Sequence, residues 1–363
     1  GRHGASPARA GAGRHGGRPL QDNDMPDPLR DTLANARRAL LAERTPAGHW
    51  VGELSSSALS TATAAFALSL LARNGRGSAG HPKLIADGLR WLADHQNPDG
   101  GWGDTTLSVS NISTTALGWA VFAVPEAAAF AGVSAKAERW LTRAAGSLEP
   151  PTLANAIDDR YGKDRTFSVP ILTMLALAGR LGPAGWRLVP QLPFELAACP
   201  FEWFQLVKLP VVSYALPALI AMGHVRHAMR PTRNPLLRGV RALVGGRTLR
   251  LLREIQPTTG GYLEATPLTS FVAMSLIAAG HARHPVVEHG VRFLEASARP
   301  DGSWAIDTNL ATWVTTLAVN ALGDAAGFDR GAVREWLLGQ QYRTVHPYTR
   351  AAPGGWAWTD LSG

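Results

Sequence analysis

Residues 88–102 read GLRWLADHQNPDGGW, and this stretch decides the fold. Its apolar residues recur at helical spacing, and the Asn, Pro, Asp and Gly residues that follow are typical of a tight turn. The glycines allow positive φ angles at the end of a helix. We expect the indole of Trp102 to fill the corner between two helices and its N–H to bond to a free carbonyl, while Gln96 caps a neighbouring helix. These residues are therefore predicted to be structural rather than catalytic.

The same pattern recurs along the chain. Further copies end at Trp50, Trp304 and Trp356, and a degenerate copy ends at Tyr262. Trp50 and Trp102 are 52 residues apart, and so are Trp304 and Trp356. A constant period of this size indicates stacked two-helix units that share one core. The predicted structural positions of the repeat are Trp50, Gln96, Gly101, Trp102, Trp304, Gln340, Gly355 and Trp356.

An alanine-rich apolar helix is predicted after each turn. The four clearest cover residues 57–71, 110–124, 270–280 and 310–322. They are apolar nearly all round, as expected of inner helices covered by outer ones. No long stretch alternates with period two, so strands should be rare. The pattern predicts an all-α fold in which helical hairpins close into an α/α toroid, or barrel.

Composition sets further bounds. Of the 363 residues, 45% are hydrophobic and only 18% are charged, which indicates a folded protein. The single cysteine, Cys199, excludes an intrachain disulfide and a multi-cysteine zinc site, and it fits a reducing compartment. The longest apolar run, residues 209–222, contains two prolines and is too short to span a bilayer.

The positive charge is unevenly distributed. The net charge is +8, and arginines crowd both a Gly-rich leader and the central region from Arg226 to Arg253. Such a surface attracts nucleic acid or anionic lipid, or is simply a solvated face. Nucleic acid is disfavoured, because no stacking aromatics are interleaved with the arginines.

The central stretch, residues 153–247, also breaks the repeat. Its aromatic cluster fits a cavity mouth, a membrane-facing surface or ordinary packing: Phe194, Phe201, Trp203 and Phe204.

The repeat resembles the QW motif of squalene–hopene cyclases and related triterpene cyclases, over roughly residues 35–363. Residues 256–267, 303–313 and 353–358 carry the same resemblance. Members of this family have two α/α barrels, one inserted into the other, with a large apolar cavity between them. The resemblance implies a disordered leader at 1–30, a complete barrel at 31–300, and the first hairpins of a second, truncated barrel at 301–363.

The resemblance also implies a reaction, the cyclisation of a squalene-type polyprenyl substrate after protonation of its terminal alkene. The family's acid is an Asp-x-Asp-Asp motif, which this sequence does not contain. We therefore predict no catalytic residue, metal or cofactor in the chain, and no activity of the chain alone. Cavity aromatics in the family stabilise carbocations through cation–π attraction. By position, the substrate-binding residues would be Trp313, Trp358 and, more weakly supported, Phe271.

Two other readings stay open: a non-catalytic toroid that binds isoprenoids or a protein, and a prenyltransferase-like subunit. The latter needs a zinc site, for which Cys199 has no convincing partners. The acidic stretch 158–164 has the wrong spacing for a magnesium motif, and the histidines near His284 lack paired ligand spacing. The expected binding partner is an apolar polyprenyl substrate, and no binding of nucleic acid is expected. The protein is expected to be cytoplasmic, with peripheral contact to a membrane, and a homodimer is possible.

Overall fold

The computed structural model describes residues 26–360 except 163, 200–214, 324–328 and 347–351. The predicted leader thus lies mostly outside the described residues, but its last four residues already belong to the first helix. Within the described part, β pairing is limited to two isolated bridges, and the predicted all-α class is confirmed. The α-helices are α1 (Asp27–Ala42), α2 (Ala58–Arg73), α3 (His81–Asp94), α4 (Ile112–Val121), α5 (Ala131–Ala145), α6 (Pro150–Tyr161), α7 (Arg165–Leu177), α8 (Leu216–Met229), α9 (Pro235–Glu254), α10 (Thr266–Leu276), α11 (Pro285–Ala296), α12 (Ala311–Leu322) and α13 (Arg330–Gly339).

Five inner helices form a closed ring. Helices α2, α4, α7, α8 and α10 contact one another in that order, and α10 returns to contact α2. They are buried on nearly every side; residues 60–71 of α2 are all buried. Helices α3, α5, α9 and α11 each cover one inner helix, and α6 packs between α5 and α7. This arrangement is the predicted α/α toroid.

Side-chain caps lie at the start of the inner helices α2 and α4. The Ser57 hydroxyl accepts a hydrogen bond from the backbone N–H of Ser60, and the Asn111 side chain accepts one from Thr114 N–H at 2.9 Å. Such caps each stabilise a helix by about 1 kcal/mol. They mark the points at which the chain passes into α2 and α4.

A second hydrophobic cluster joins α1 to α12 and α13. Its buried members are Trp50, Ala318, Leu322 and Val333, and leucines of α1 pack against it. The His49 ring stacks on Trp336 with centroids 4.1 Å apart. Helix α1 therefore packs with the C-terminal segment that contains α12 and α13.

The chain crosses itself where the two units meet. The turn ending at Trp50 precedes α2 in sequence, yet the Trp50 N–H bonds to Thr315 of α12. The turn ending at Trp304 precedes α12, yet its N–H bonds to Thr61 of α2. Between them, segments 51–57 and 304–310 run antiparallel, with Ser57 N–H donating to the Trp304 carbonyl at 3.0 Å. The ring is thus inserted between α1 and α12.

Candidate functional site

The corner aromatics share one side-chain hydrogen bond. Each donates to a carbonyl near the end of the preceding helix, at the same sequence distance in four copies, and all four are buried. The tyrosine copy makes the same bond through its hydroxyl. The pairs are Trp50–Leu40 (2.6 Å), Trp102–Leu92 (2.9 Å), Tyr262–Leu252 (2.7 Å) and Trp304–Leu294 (2.8 Å).

The backbone N–H of each corner aromatic donates to a threonine hydroxyl near the start of an apolar helix, which is α12 for Trp50 and a ring helix for Trp102, Tyr262 and Trp304. The acceptors are Thr315 for Trp50 (3.0 Å), Thr115 for Trp102 (3.0 Å), Thr269 for Tyr262 (3.0 Å) and Thr61 for Trp304 (3.1 Å). Two residues before each aromatic stands a glycine with φ near +90°, as at Gly100 (φ 94°). These contacts describe a corner that holds helices together, with no group left free for chemistry.

Glycine is required at the adjacent position, Gly101, for a different reason. Its φ is not positive, but an added Cβ would lie 2.7 Å from the Cβ of Ser110. Close approach of the chain therefore requires glycine there. Gly355 has open space around it, and its carbonyl accepts a hydrogen bond from Tyr342 N–H.

The glutamine of the repeat joins the turn to the next outer helix. Gln96 Nε2 donates to the carbonyls of Gly100 (2.9 Å) and Val133 (3.0 Å), and Gln256 repeats both bonds. In the last copy it is Gln341, and not the predicted Gln340, that donates to Gly354 at 2.9 Å. The backbone N–H of Gln340 still bonds to Trp336, so this residue caps α13 instead.

The predicted substrate-binding residues Trp313 and Trp358 lie together. Their ring centroids are 5.9 Å apart with the planes inclined by 37°. Both are solvent-accessible, with exposed fractions of 44% and 69%. The third predicted residue, Phe271, lies in the core of the ring on α10 and is 7% exposed. Among the described aromatic contacts none joins it to the tryptophan pair.

The start of α12 holds residues 358–360 in place. Trp313 N–H donates to the Trp358 carbonyl (3.1 Å), and the Thr312 hydroxyl donates to the Thr359 carbonyl (2.9 Å). Asn309 Nδ2 donates to Asp360 Oδ1 (2.7 Å), while Asn309 Oδ1 accepts from the N–H of the first helical residue. Sequence reasoning missed Asn309, although an Asn just before an apolar helix is a recognised capping signal.

Two carboxyl groups near the crossing are unusual. Burial raises the pKa of Asp307 to about 6. Glu264 is 4% exposed and accepts hydrogen bonds from the hydroxyls of Thr259 (2.5 Å) and Thr308 (3.2 Å). Its φ of 54° is a strained value for a residue with a side chain. No sequence signal marked either group.

An open cleft of about 800 Å³ lies beside Glu264. Glu53, His289, Arg292 and Arg299 line it, and Arg299 forms an ion pair with Glu53 at 2.6 Å. This lining is charged, so the cleft is unsuited to an apolar polyprenyl chain.

Among the described residues there is no group of three or more His, Cys, Asp or Glu side chains that could bind a metal ion. Asp164, in the acidic stretch, caps α7 by accepting from Thr166 N–H at 2.8 Å. Of the aromatic cluster, Phe194 is buried, and the other three members lie outside the described residues.

Within the described chain, no single helix has the length and apolar character to cross a membrane. One bent pair passes that test by length and composition: Ile112–Val121 with Pro125–Ala145.

Three comparisons with known proteins gave different results. A crystal structure of a protein from Actinoplanes is 16% identical, with 76% of this chain and 82% of that chain covered and a TM-score of 0.34. Comparison with curated proteins gives no match. The family model described as the squalene-hopene cyclase N-terminal domain matches residues 33–243, more than half of the chain. The chain belongs to the family of squalene–hopene cyclase N-terminal domains.

Proposed function

We propose that this chain forms part of the apolar wall of a terpene cyclase that converts a squalene-type polyprenyl hydrocarbon by protonation-initiated cyclisation. Family membership supports a cyclase-like role in general. The single observation that carries the more specific proposal is the accessible pair of indoles Trp313 and Trp358, whose backbones are joined by a hydrogen bond at the start of α12.

The pair suits the intermediates of such a reaction. A cyclising polyene carries a positive charge that must be stabilised without a nucleophile that would capture it. An indole face attracts a cation by about 0.5–2 kcal/mol, most strongly in a dry site. Because α12 fixes the backbone of Trp358 through Trp313 N–H and Thr312, little reorganisation is needed when the charge develops.

We assign no proton donor to the residues of this chain. Protonating an alkene requires a strong, desolvated acid, and no Asp-x-Asp-Asp occurs in the printed chain. We therefore assign the residues of this chain to binding and orienting the polyene.

A binding experiment tests the role of the indoles. Squalene in detergent micelles is titrated into the full chain, and tryptophan emission is followed against micelles alone. We expect a saturable change in the wild type and in W140F, whose indole lies on the outer helix α5, and its loss in W313F/W358F. An equal response from the double variant would refute the proposal.

A turnover experiment tests the missing acid. Squalene incubated with the purified chain should yield no cyclised product by gas chromatography with mass spectrometry. A cyclic product would show that the chain contains its own proton donor, and D307N would then be the first variant to examine.

A further inference from the structure

A second cleft, of about 440 Å³, opens where the ring helices α2 and α10 end. Arg76 lines it just after α2, and His281, Arg283 and His284 line it between α10 and α11. Asn74 and three small residues complete the lining, which among the described residues contains no carboxylate. We call this site the basic cleft.

The ends of the two ring helices shape the basic cleft. After α2, the Asn74 side chain and the Arg76 backbone N–H both donate to carbonyls in the last turn of the helix, at 2.9 and 3.2 Å. These carbonyl oxygens, which would repel an anion, are therefore already bonded. After α10 the chain makes a π-type turn, Ile277–His281, in which Gly280 has a φ of 90°. Such turns are frequent at functional sites.

The charged groups that act on the histidines around the cleft are all cationic. His224 of α8 lies edge-on to the His281 ring, with the ring centroids 6.0 Å apart. Burial, and after it the neighbouring His281, His227 and His284, lower the pKa of His224 to about 4. Burial, with His281 and Arg253, also lowers the pKa of His284. Like charges lower the pKa of an imidazole, so the potential in this region is positive.

The two guanidinium groups of the cleft are weakly engaged. Arg76 forms one ion pair, with Glu288 of α11 at 3.7 Å, and the two side chains are 38% and 53% exposed. An ion pair this open to water contributes little to stability. Within the described part of the chain no carboxylate forms an ion pair with Arg283. Each guanidinium carries five N–H donors in a fork that matches the oxygens of a phosphate group.

We propose that the basic cleft binds a small, multiply charged oxyanion of the phosphate type, with Arg76 and Arg283 as its main contacts and the imidazoles of His281 and His284 beside them. A single carboxylate would match only part of this lining. The volume is that of a small-molecule site. The proposal goes beyond the proposed function, because this cleft lies at the ends of α2 and α10 and the tryptophan pair lies at the start of α12.

Isothermal titration calorimetry of the full chain with inorganic diphosphate, at constant ionic strength, tests the proposal. The wild type should bind diphosphate saturably and should bind acetate at least about tenfold more weakly. R76Q/R283Q should weaken diphosphate binding about tenfold or more. The matched control, R139Q/R160Q, changes two exposed arginines elsewhere and should bind as the wild type does.

Glu288→Gln tests the position of the anion independently. Glu288 competes with the ligand for Arg76, so E288Q should bind diphosphate about two- to tenfold more tightly than the wild type. The matched control is E335Q, which removes an exposed carboxylate that pairs with Arg334 at 3.1 Å on α13 and should leave the affinity unchanged.

Four results would overturn the proposal. The first is an absence of saturable diphosphate binding by the wild type. The second is wild-type affinity in R76Q/R283Q, with circular dichroism showing that the variant is folded. The third is an equal loss in R139Q/R160Q, which would show a general effect of surface charge. The fourth is binding to vesicles of phosphate-bearing lipid without binding of free diphosphate, which would assign the arginines to a lipid surface.

Discussion

Thr61→Val tests whether the ring closes through the turn at Trp304. The Thr61 hydroxyl accepts a hydrogen bond from Trp304 N–H at 3.1 Å, and both residues are 0% exposed. Valine preserves the shape of threonine and removes the hydroxyl that accepts this bond. A buried N–H left without an acceptor costs about 1–3 kcal/mol, so the free energy of unfolding should fall by that amount.

The matched control is Thr142→Val on the outer helix α5. Its hydroxyl is exposed and bonds to the carbonyl of Glu138 in its own helix at 2.8 Å. Both variants are unfolded in urea, with far-ultraviolet circular dichroism and tryptophan emission as two probes, because a chain with two packed units can unfold in more than one step. Agreement of T61V and T142V within about 0.5 kcal/mol would refute the role assigned to the threonine.

Three further changes have defined outcomes. Gly118→Ala should lower the free energy of unfolding in urea by about 1–3 kcal/mol, because the added Cβ would lie 2.7 Å from the Trp102 ring. Gly239→Ala, in open space on α9, should raise it by up to about 1 kcal/mol, and the reverse order of the two variants would contradict the packing. Asp307→Asn tests the pKa of about 6. Because the Asp307 carboxyl has a pKa of about 6 when folded and near 3.8 when unfolded, the stability of the wild type should fall relative to that of D307N as pH rises from 3.8 to 6. A difference in stability that stays constant over this pH range would be evidence against burial of the carboxyl. Glu195→Gln leaves the buried guanidinium of its α9 partner Arg241 uncompensated and should lower the melting temperature by an amount equivalent to about 3–5 kcal/mol; a shift equivalent to under about 1 kcal/mol would show that the pair is hydrated.

Local features of the fold were predictable from sequence. The helix predicted at 310–322 is found at 311–322, and the one predicted at 57–71 is found at 58–73. Each depends on a cap and an apolar run that lie within one short segment. The tyrosine copy at Tyr262 was also recognised, and its hydroxyl makes the bond that indole N–H groups make elsewhere.

The exchange of partners between turns was not predictable. Trp50 and Thr315 are 265 residues apart, and the corner sequences contain nothing that says which inner helix each will meet. The shift from Gln340 to Gln341 has a similar origin, because the longer last loop hides the spacing that identifies the residue in other copies. At the candidate site, two aromatic positions were available from the family pattern, but Asn309 and Asp307 act through contacts and burial that exist only once the chain is folded.

The crossing between α1 and α12 also governs the order of assembly during synthesis. The partners of Trp50 leave the ribosome 265 residues after it does, which at about 5–20 residues per second is a delay of roughly 13–50 s. The ring can close once residues up to Trp304 have been synthesised, because Trp304 bonds to Thr61 of α2. Trp304 leaves the ribosome before α12 is complete. During that interval Leu40 and Leu41 have no apolar neighbours from the second unit. A chaperone that guards the nascent chain should therefore engage α1 longer than any helix of the ring.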